Sequence, residues 1–271
     1  MKKAFAGCPK LDMDTSVFQL SGDCSEMFSG TGITRLVIND AGITSMLWFA
    51  RSGAFQTQTL QEVVINGTLN KCTDFMGAFD GNAGLKKCDM SGVDFGKVRS
   101  LQTMFRGCKQ LTTVGINFNT FGTYLSDVRF MFENSGITDD IVFTDSANHI
   151  MNFYNLCSSY TKKLVFPADK PLKMKDTSYG TALNNATSLE YLKWDNIGNK
   201  ENQTAFNFNA NTKLGTGSDE NLQAFKNLFI NAFDRKTAGY AVCTVSLAAT
   251  QKALLTAEEI TAFENKGYKI A

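Results

Sequence analysis

The chain has 271 residues, 43% of them hydrophobic, with 27 basic against 26 acidic side chains and a formal net charge of +1. That length and apolar content support a large packed core without the composition of a disordered chain, and the balanced charge lacks the clustered Lys and Arg that nucleic-acid binding requires. No stretch approaches the ~18 consecutive apolar residues of a membrane-spanning helix.

The chain opens with Met1-Lys2-Lys3 and Phe5-Ala6-Gly7-Cys8, imitating a bacterial lipoprotein signal. Such a signal carries about 7–15 apolar residues before its cleavage site, and here only Ala4 and Phe5 precede Ala6-Gly7-Cys8. Phe-x-Gly-Cys returns at Phe105-Arg106-Gly107-Cys108, the same distance ahead of an apolar hexapeptide, so it belongs to a repeat.

The hexapeptide Leu-x-x-Leu-x-Leu, with Ile, Val, Met or Cys substituting, recurs about every 25 residues, the mark of a stacked repeat. Its copies are Ile33/Leu36/Ile38, Leu60/Val63/Ile65, Leu85/Cys88/Met90, Leu111/Val114/Ile116, Leu189/Leu192/Trp194 and Val242/Val245/Leu247, with a truncated copy at Leu11/Met13. Ile137/Ile141/Phe143 and Tyr160/Leu164/Phe166 carry one extra residue. The step to Val245 is about twice the period, so residues 195–241 hold one degenerate repeat around Leu214 or one enlarged repeat.

Ahead of each hexapeptide stands a segment such as Glu26-Met27-Phe28, Thr103-Met104-Phe105, Phe130-Met131-Phe132 or Ile150-Met151-Asn152-Phe153, predicted as one or two helical turns. A cluster such as Ser29-Gly30-Thr31-Gly32 ends it, and the hexapeptide follows as a short strand. Its fourth and sixth residues face inward by the period of two. Each buried side chain contributes roughly 1.5–3 kcal/mol, and only stacked neighbours complete the burial. The next residue is Asp14, Asn39, Asn66, Ser91, Asn117, Thr144, Pro167 or Asp195, and these predict a corner ladder that hydrogen-bonds local backbone.

Toward the end, Ser218-Asp219-Glu220 starts a helix with Leu222, Phe225, Phe229 and Phe233 on one stripe, and the strand Val242–Leu247 follows. Thr256-Ala257-Glu258-Glu259 opens a second helix with a capping box, Gly267 ends it, and Tyr268–Ala271 reads as a strand. The expected fold is an α/β repeat solenoid, a right-handed coil of short helices and parallel strands over residues 1–216. Residues 217–271 supply a final repeat and an α/β cap packed on it. The first coil has no such cap, so its apolar edge is expected to meet a stacked partner or missing upstream sequence.

Candidate chemistry is sparse. The seven cysteines are expected as free thiols, since Cys8, Cys108 and Cys157 sit in turns, Cys88 replaces an inward Leu, and neighbouring repeats carry no cysteine at those places. His149 is the sole histidine and no Cys-x-x-Cys occurs, so neither a metal nor a cofactor is expected. The pairs Asp12/Asp14 and Asp139/Asp140 could serve as carboxylate pairs for hydrolysis or calcium binding, but Asp14 and Asp140 already have positions in structural columns, which disfavours catalysis. Candidate partner-binding residues therefore come from the outward strand positions: Arg35, Glu62, Lys87, Asp140, Lys163 and Tyr191 in one column, and Val37, Val64, Asp89, Val142, Val165 and Lys193 in the other. The alternating charges suit cross-strand ion ladders. The valines form two apolar patches explained equally by strand propensity or by a contact surface.

The run Met104-Phe105-Arg106-Gly107-Cys108-Lys109-Gln110-Leu111-Thr112-Thr113-Val114-Gly115-Ile116 resembles the BspA-like leucine-rich repeat family, and the resemblance covers most of residues 4–194. Leu254–Ile260 and Lys266-Gly267-Tyr268 look like the terminal segment of such proteins in gut bacteria and their phages. The resemblance implies a leucine-rich-repeat-like solenoid and a non-enzymatic recognition or adhesion role. Its expected partner is a protein or glycan on a cell surface, and its expected place is extracellular, on a bacterial surface or a phage virion. The alternative is a structural domain of a virion, tail fibre or larger surface fibre.

Overall fold

The computed structural model describes residues 2–46, 59–144, 150, 152–166, 182–198 and 201–271. Within them the Met-Phe segments are not helical. In Leu101–Cys108 the amides of Met104, Arg106 and Cys108 bond three residues back, to the carbonyls of Leu101, Thr103 and Phe105 at 3.1, 3.3 and 3.2 Å. The intervening amides of Leu101, Thr103, Phe105 and Gly107 donate instead to Asp127, Arg129, Met131 and Glu133 in the next layer, at 2.8–2.9 Å. A helix would spend every amide on its own i−4 carbonyl. These linked β-turns spend half on a neighbour.

The turns closed by Met104 and Cys108 place Thr103 (φ 57°) and Gly107 (φ 74°) at their third position, where a type II turn requires positive φ. Equivalent residues in other layers do the same, among them Glu26 and Phe130 (φ 53° and 57°). For such side chains this region costs on the order of 1 kcal/mol each, offset by the cross-layer bond each amide makes. The same alternation links Lys3–Gly7 to Ser25–Ser29, and Phe75–Gly81 to Ser100–Arg106.

Among the described residues the architecture is mixed α/β with three small, all-parallel sheets and few helices. The first orders β1 (Gln19–Asp23), β2 (Arg35–Ser45), β3 (Glu62–Asn66) and β4 (Lys87–Cys88). The second orders β5 (Ile141–Val142), β6 (Lys163–Val165) and β7 (Tyr191–Lys193). Hexapeptides lie in register, with Leu36 opposite Val63 and Ile141 opposite Leu164, and these inward residues are buried. The ladder breaks between the two sheets. Asp139, the extra residue of its copy, turns its Oδ2 to the amides of Val114 and Gly115 at 2.7 and 3.2 Å, in place of a strand carbonyl.

A second parallel line runs Ser45–Asp74–Ser100–Asp127–Asn152 just ahead of the turns. Here Asp23, Asp74 and Asp127 accept the amide two residues on, at 2.8, 2.8 and 3.1 Å, which starts the first turn. The Ser25 side chain, and then the hydrogen bond from its amide, hold the Asp23 carboxyl below its usual range. At the opposite corner Asn66 donates to Asn39 Oδ1 at 2.7 Å and Asn39 to the Ser16 carbonyl at 2.6 Å, as the corner ladder anticipates, while Pro167 lies outside the described residues.

Stacked phenylalanines fill the interior: Phe5 on Phe28 (5.5 Å), Phe79 on Phe105 (5.3 Å), Phe105 on Phe132 (6.1 Å) and Phe143 on Phe166 (6.2 Å). One apolar cluster runs from Leu20 to Tyr268. Three expectations change. In the Tyr160 copy Thr161 takes the first inward place, fully buried with its hydroxyl beside Ser158, so no residue is extra and Tyr160 points outward. Leu214 occupies the corresponding place in the next layer, but the following strand is replaced by α1 (Asp219–Ile230), which packs along β7. The Val242/Val245/Leu247 copy is not part of the hexapeptide column, because β9 (Cys243–Ser246) pairs with β8 (Ala205–Asn207) and β10 (Tyr268–Ile270), and Val242 is 60% exposed.

Ser218 caps α1 by accepting the Asn221 amide at 3.1 Å. The short α2 (Ala249–Lys252) follows β9, and Thr256 and Glu259 form the anticipated capping box of α3 (Ala257–Glu264). No helix of the described residues is long and apolar enough to cross a membrane.

Two outcomes follow from this packing. A Cβ at Gly136 would lie 2.6 Å from the Lys109 carbonyl oxygen, whereas one at Gly92 meets nothing within 4 Å. Gly136→Ala should lower urea-unfolding stability by about 1–3 kcal/mol, with Gly92→Ala within ~0.5 kcal/mol of wild type. The cysteines are free and only Cys8 is exposed; burial pushes the Cys72 and Cys157 thiols up to about 12 and Cys243 up to about 11. A thiol reagent at pH 8 should label one cysteine per native chain and all seven after denaturation.

Candidate functional site

Two surfaces carry side chains that the interior does not use. The first is the outward face of the hexapeptides, where Arg35 Nε meets Glu62 Oε2 at 2.8 Å and Lys87 Nζ lies 3.9 Å from Glu62 Oε1. This ladder follows from the β2–β3–β4 register. Asp89 accepts the Ser91 amide, which holds its carboxyl below the usual range. Further along, Lys163 reaches Glu220 on α1 at 3.8 Å and sits 4.5 Å from the Tyr191 ring centroid. Tyr191 and Lys193 are half-buried where α1 packs on β7.

The valine patches are smaller than strand alternation predicts. Val37 is only 4% exposed, because the 3-10 turn Thr15–Val17 lies against β2 and the Thr15 hydroxyl accepts the Val37 amide at 2.6 Å. Val64 and Val165 are half-buried, and Val142 alone is exposed, at 37%. The exposed candidates on this face are therefore Arg35 toward one end and Lys87, Asp89, Asp140 and Val142 around the break in the sheet.

The second surface is a groove of about 760 Å³ on the turn side, reaching across successive layers from Asp80 to Tyr160. Asp80, Arg106 and Glu133 follow the stacked Phe79, Phe105 and Phe132 in their layers, so the stack aligns them. Asp80 is 2% exposed and receives Arg106 Nε and Nη2 at 2.9 and 2.6 Å. That carboxylate raises the guanidinium pKa. Glu133 Oε1 accepts the Asn155 amide group at 2.8 Å, and its other oxygen has no partner among the described residues. Lys109 and Asn134 lie beside it, and Tyr160 is 56% exposed.

The sequence reading placed no functional residue here. Its signal was present in the middle residue of Phe-x-Gly or Phe-x-Asn, which changes sign from Asp80 to Arg106 to Glu133, and in a Thr occupying an inward apolar column, which releases the preceding Tyr160. Elsewhere Asp12 accepts the Thr34 amide, Asp14 the Ser16 amide and Asp139 the amides of Val114 and Gly115, so these three carboxylates serve the backbone, while Asp140 is exposed. His149 lies outside the described residues, among which no three His, Cys, Asp or Glu side chains converge to hold a metal ion. No family model, curated protein or solved structure matches the chain.

Removing the Arg106 side chain leaves the buried Asp80 carboxylate without its charged donor. Arg106→Ala should cost about 2 kcal/mol in chemical unfolding. Adding Asp80→Asn should recover part of that loss, which a double-mutant cycle reads as coupling.

Proposed function

We propose that this chain is a non-enzymatic recognition or adhesion module, a right-handed leucine-rich-repeat-like solenoid of BspA-like type that docks a protein or glycan at a cell surface. The observation that carries this reading is the division of labour between faces. Apolar side chains fill the interior, while charged and polar residues of successive layers come side by side on a surface held in place by backbone bonds between layers. Such a surface is preorganised, which lowers the ordering cost of binding. In this reading residues 1–216 form the recognition body and 217–271 its cap, supported by α1 replacing a strand beside β7 and by the small sheet of β8, β9 and β10. The place of action is extracellular, on a bacterial surface or a virion.

A second reading, an assembly domain of a fibre or virion with a stacking partner at its N-terminal end, is favoured by exposed Val17 and Val142 and by half-buried Phe5, Leu11 and Met13 in the first layer.

The test is binding of the fluorescent protein to intact bacterial cells, with light scattering of the same sample. Saturable binding by a monomer supports recognition. Concentration-dependent oligomers without cell binding favour assembly. Among binders, Val142→Arg reports whether the strand face takes part: a loss of affinity of tenfold or more places the contact there.

A further inference from the structure

We infer, building on the recognition reading, that the turn-side groove binds a neutral oligosaccharide, with the Tyr160 ring as a stacking platform and Glu133, Asn134 and Lys109 as partners for its hydroxyls. The chemistry of the walls selects the ligand class. Each sugar hydroxyl both donates and accepts, and it needs acceptors and donors close together. Glu133 offers a carboxylate oxygen with no partner among the described residues, Asn134 an amide with both functions, and Lys109 donors, all on the wall of one groove.

Other ligands fit less well. Phosphate chains and nucleic acids would meet the Asp80 and Glu133 carboxylates as well as the cations. A peptide gains most of its affinity by burying apolar or aromatic anchors in pockets, and the described residues give this groove one aromatic ring and no aliphatic wall. Its floor includes Gly81 and Gly107, whose backbones stack with a Gly107 Cβ position 3.5 Å from Gly81 Cα, so no side chain rises from it there. At ~4.8 Å per layer the groove extends roughly 14 Å, which suits an extended chain.

Tyr160 supplies an independent observation. The residue ahead of the first inward position is Gly32, Gly84, Gln110, Gly136 and Ser188 in other layers, and only here is it aromatic. Its amide is fixed by Ser158 Oγ at 3.0 Å, while its ring is left 56% exposed at the groove. More than half of its surface is left to solvent. An exposed flat ring with a polar tip is suited to an amphipathic ligand.

The test is calorimetric titration of the intact chain with neutral hexose, pentose and N-acetylhexosamine oligosaccharides, beside Tyr160→Ala and Asn134→Gly. Asn134 has φ 55°, so glycine keeps its backbone and removes only the amide. At least one neutral oligosaccharide is expected to bind, with Kd raised tenfold or more in each variant and melting temperature unchanged. Binding that neither variant weakens, or binding of charged oligosaccharides alone, would overturn the inference. Cell binding that survives periodate oxidation of the cells, with no neutral oligosaccharide bound, removes the inference and leaves recognition standing. Absence of cell binding removes the recognition reading itself.

Discussion

The structure rests on the alternation of backbone amides along the turn segments. In Leu101–Cys108 one amide closes a turn and the next reaches the neighbouring layer, so such a layer does not satisfy its own backbone and is completed by the one beside it. The layer spacing is thereby set by hydrogen bonds, and the phenylalanines follow it, with Phe79, Phe105 and Phe132 stacked at 5.3 and 6.1 Å. Stability of this kind comes from nearest neighbours. It also explains why residues in left-handed backbone persist at Glu26, Thr103 and Phe130, since the bonds on either side over-determine them.

The same constraint explains what the sequence made legible. Strand positions were readable because burial alternates with a period of two: Leu36, Ile38, Leu164 and Phe166 are all buried. Turn segments were misread because Leu101, Met104, Phe105 and Cys108 are spaced i, i+3, i+4, i+7, and all are buried. That is the spacing of an amphipathic helix. A chain of linked turns repeats its inward face at nearly the same interval, so periodicity alone does not separate the two. The distinguishing marks are polar: the Asp, Ser or Asn that opens the first turn, as at Asp23, Asp74 and Asp127, and the glycines at left-handed positions.

Surface chemistry was less legible, because it depends on which residues of separate layers become neighbours. The ion ladder of Arg35, Glu62 and Lys87 was readable, since strand register follows directly from the hexapeptide. The grouping of Asp80, Arg106 and Glu133 required the turn register, which a helical assignment obscures. Val37 was lost from the outward face through a contact with Thr15, 22 residues earlier, that no local pattern encodes. Tyr160 was misplaced because a threonine, whose hydroxyl finds Ser158, stands in a column otherwise read as aliphatic.

The C-terminal end limits where a partner can act. A parallel sheet exposes unpaired backbone at its last strand, a template for further pairing. Here α1 runs along β7, with Asn231 donating to Asp195 Oδ1 at 2.9 Å and its carbonyl accepting the Asn196 amide at 3.0 Å. A helix presents no ladder of its own, so strand addition stops at β7. The neighbouring sheet ends in β10, just after α3, with Lys269 exposed at its centre, a charge that opposes edge pairing. With that end closed to strand addition, the N-terminal layer and the lateral surfaces remain open. Of the lateral surfaces, the strand face carries ion pairs within the chain, whereas in the groove the second Glu133 oxygen has no partner among the described residues and the Tyr160 ring is exposed.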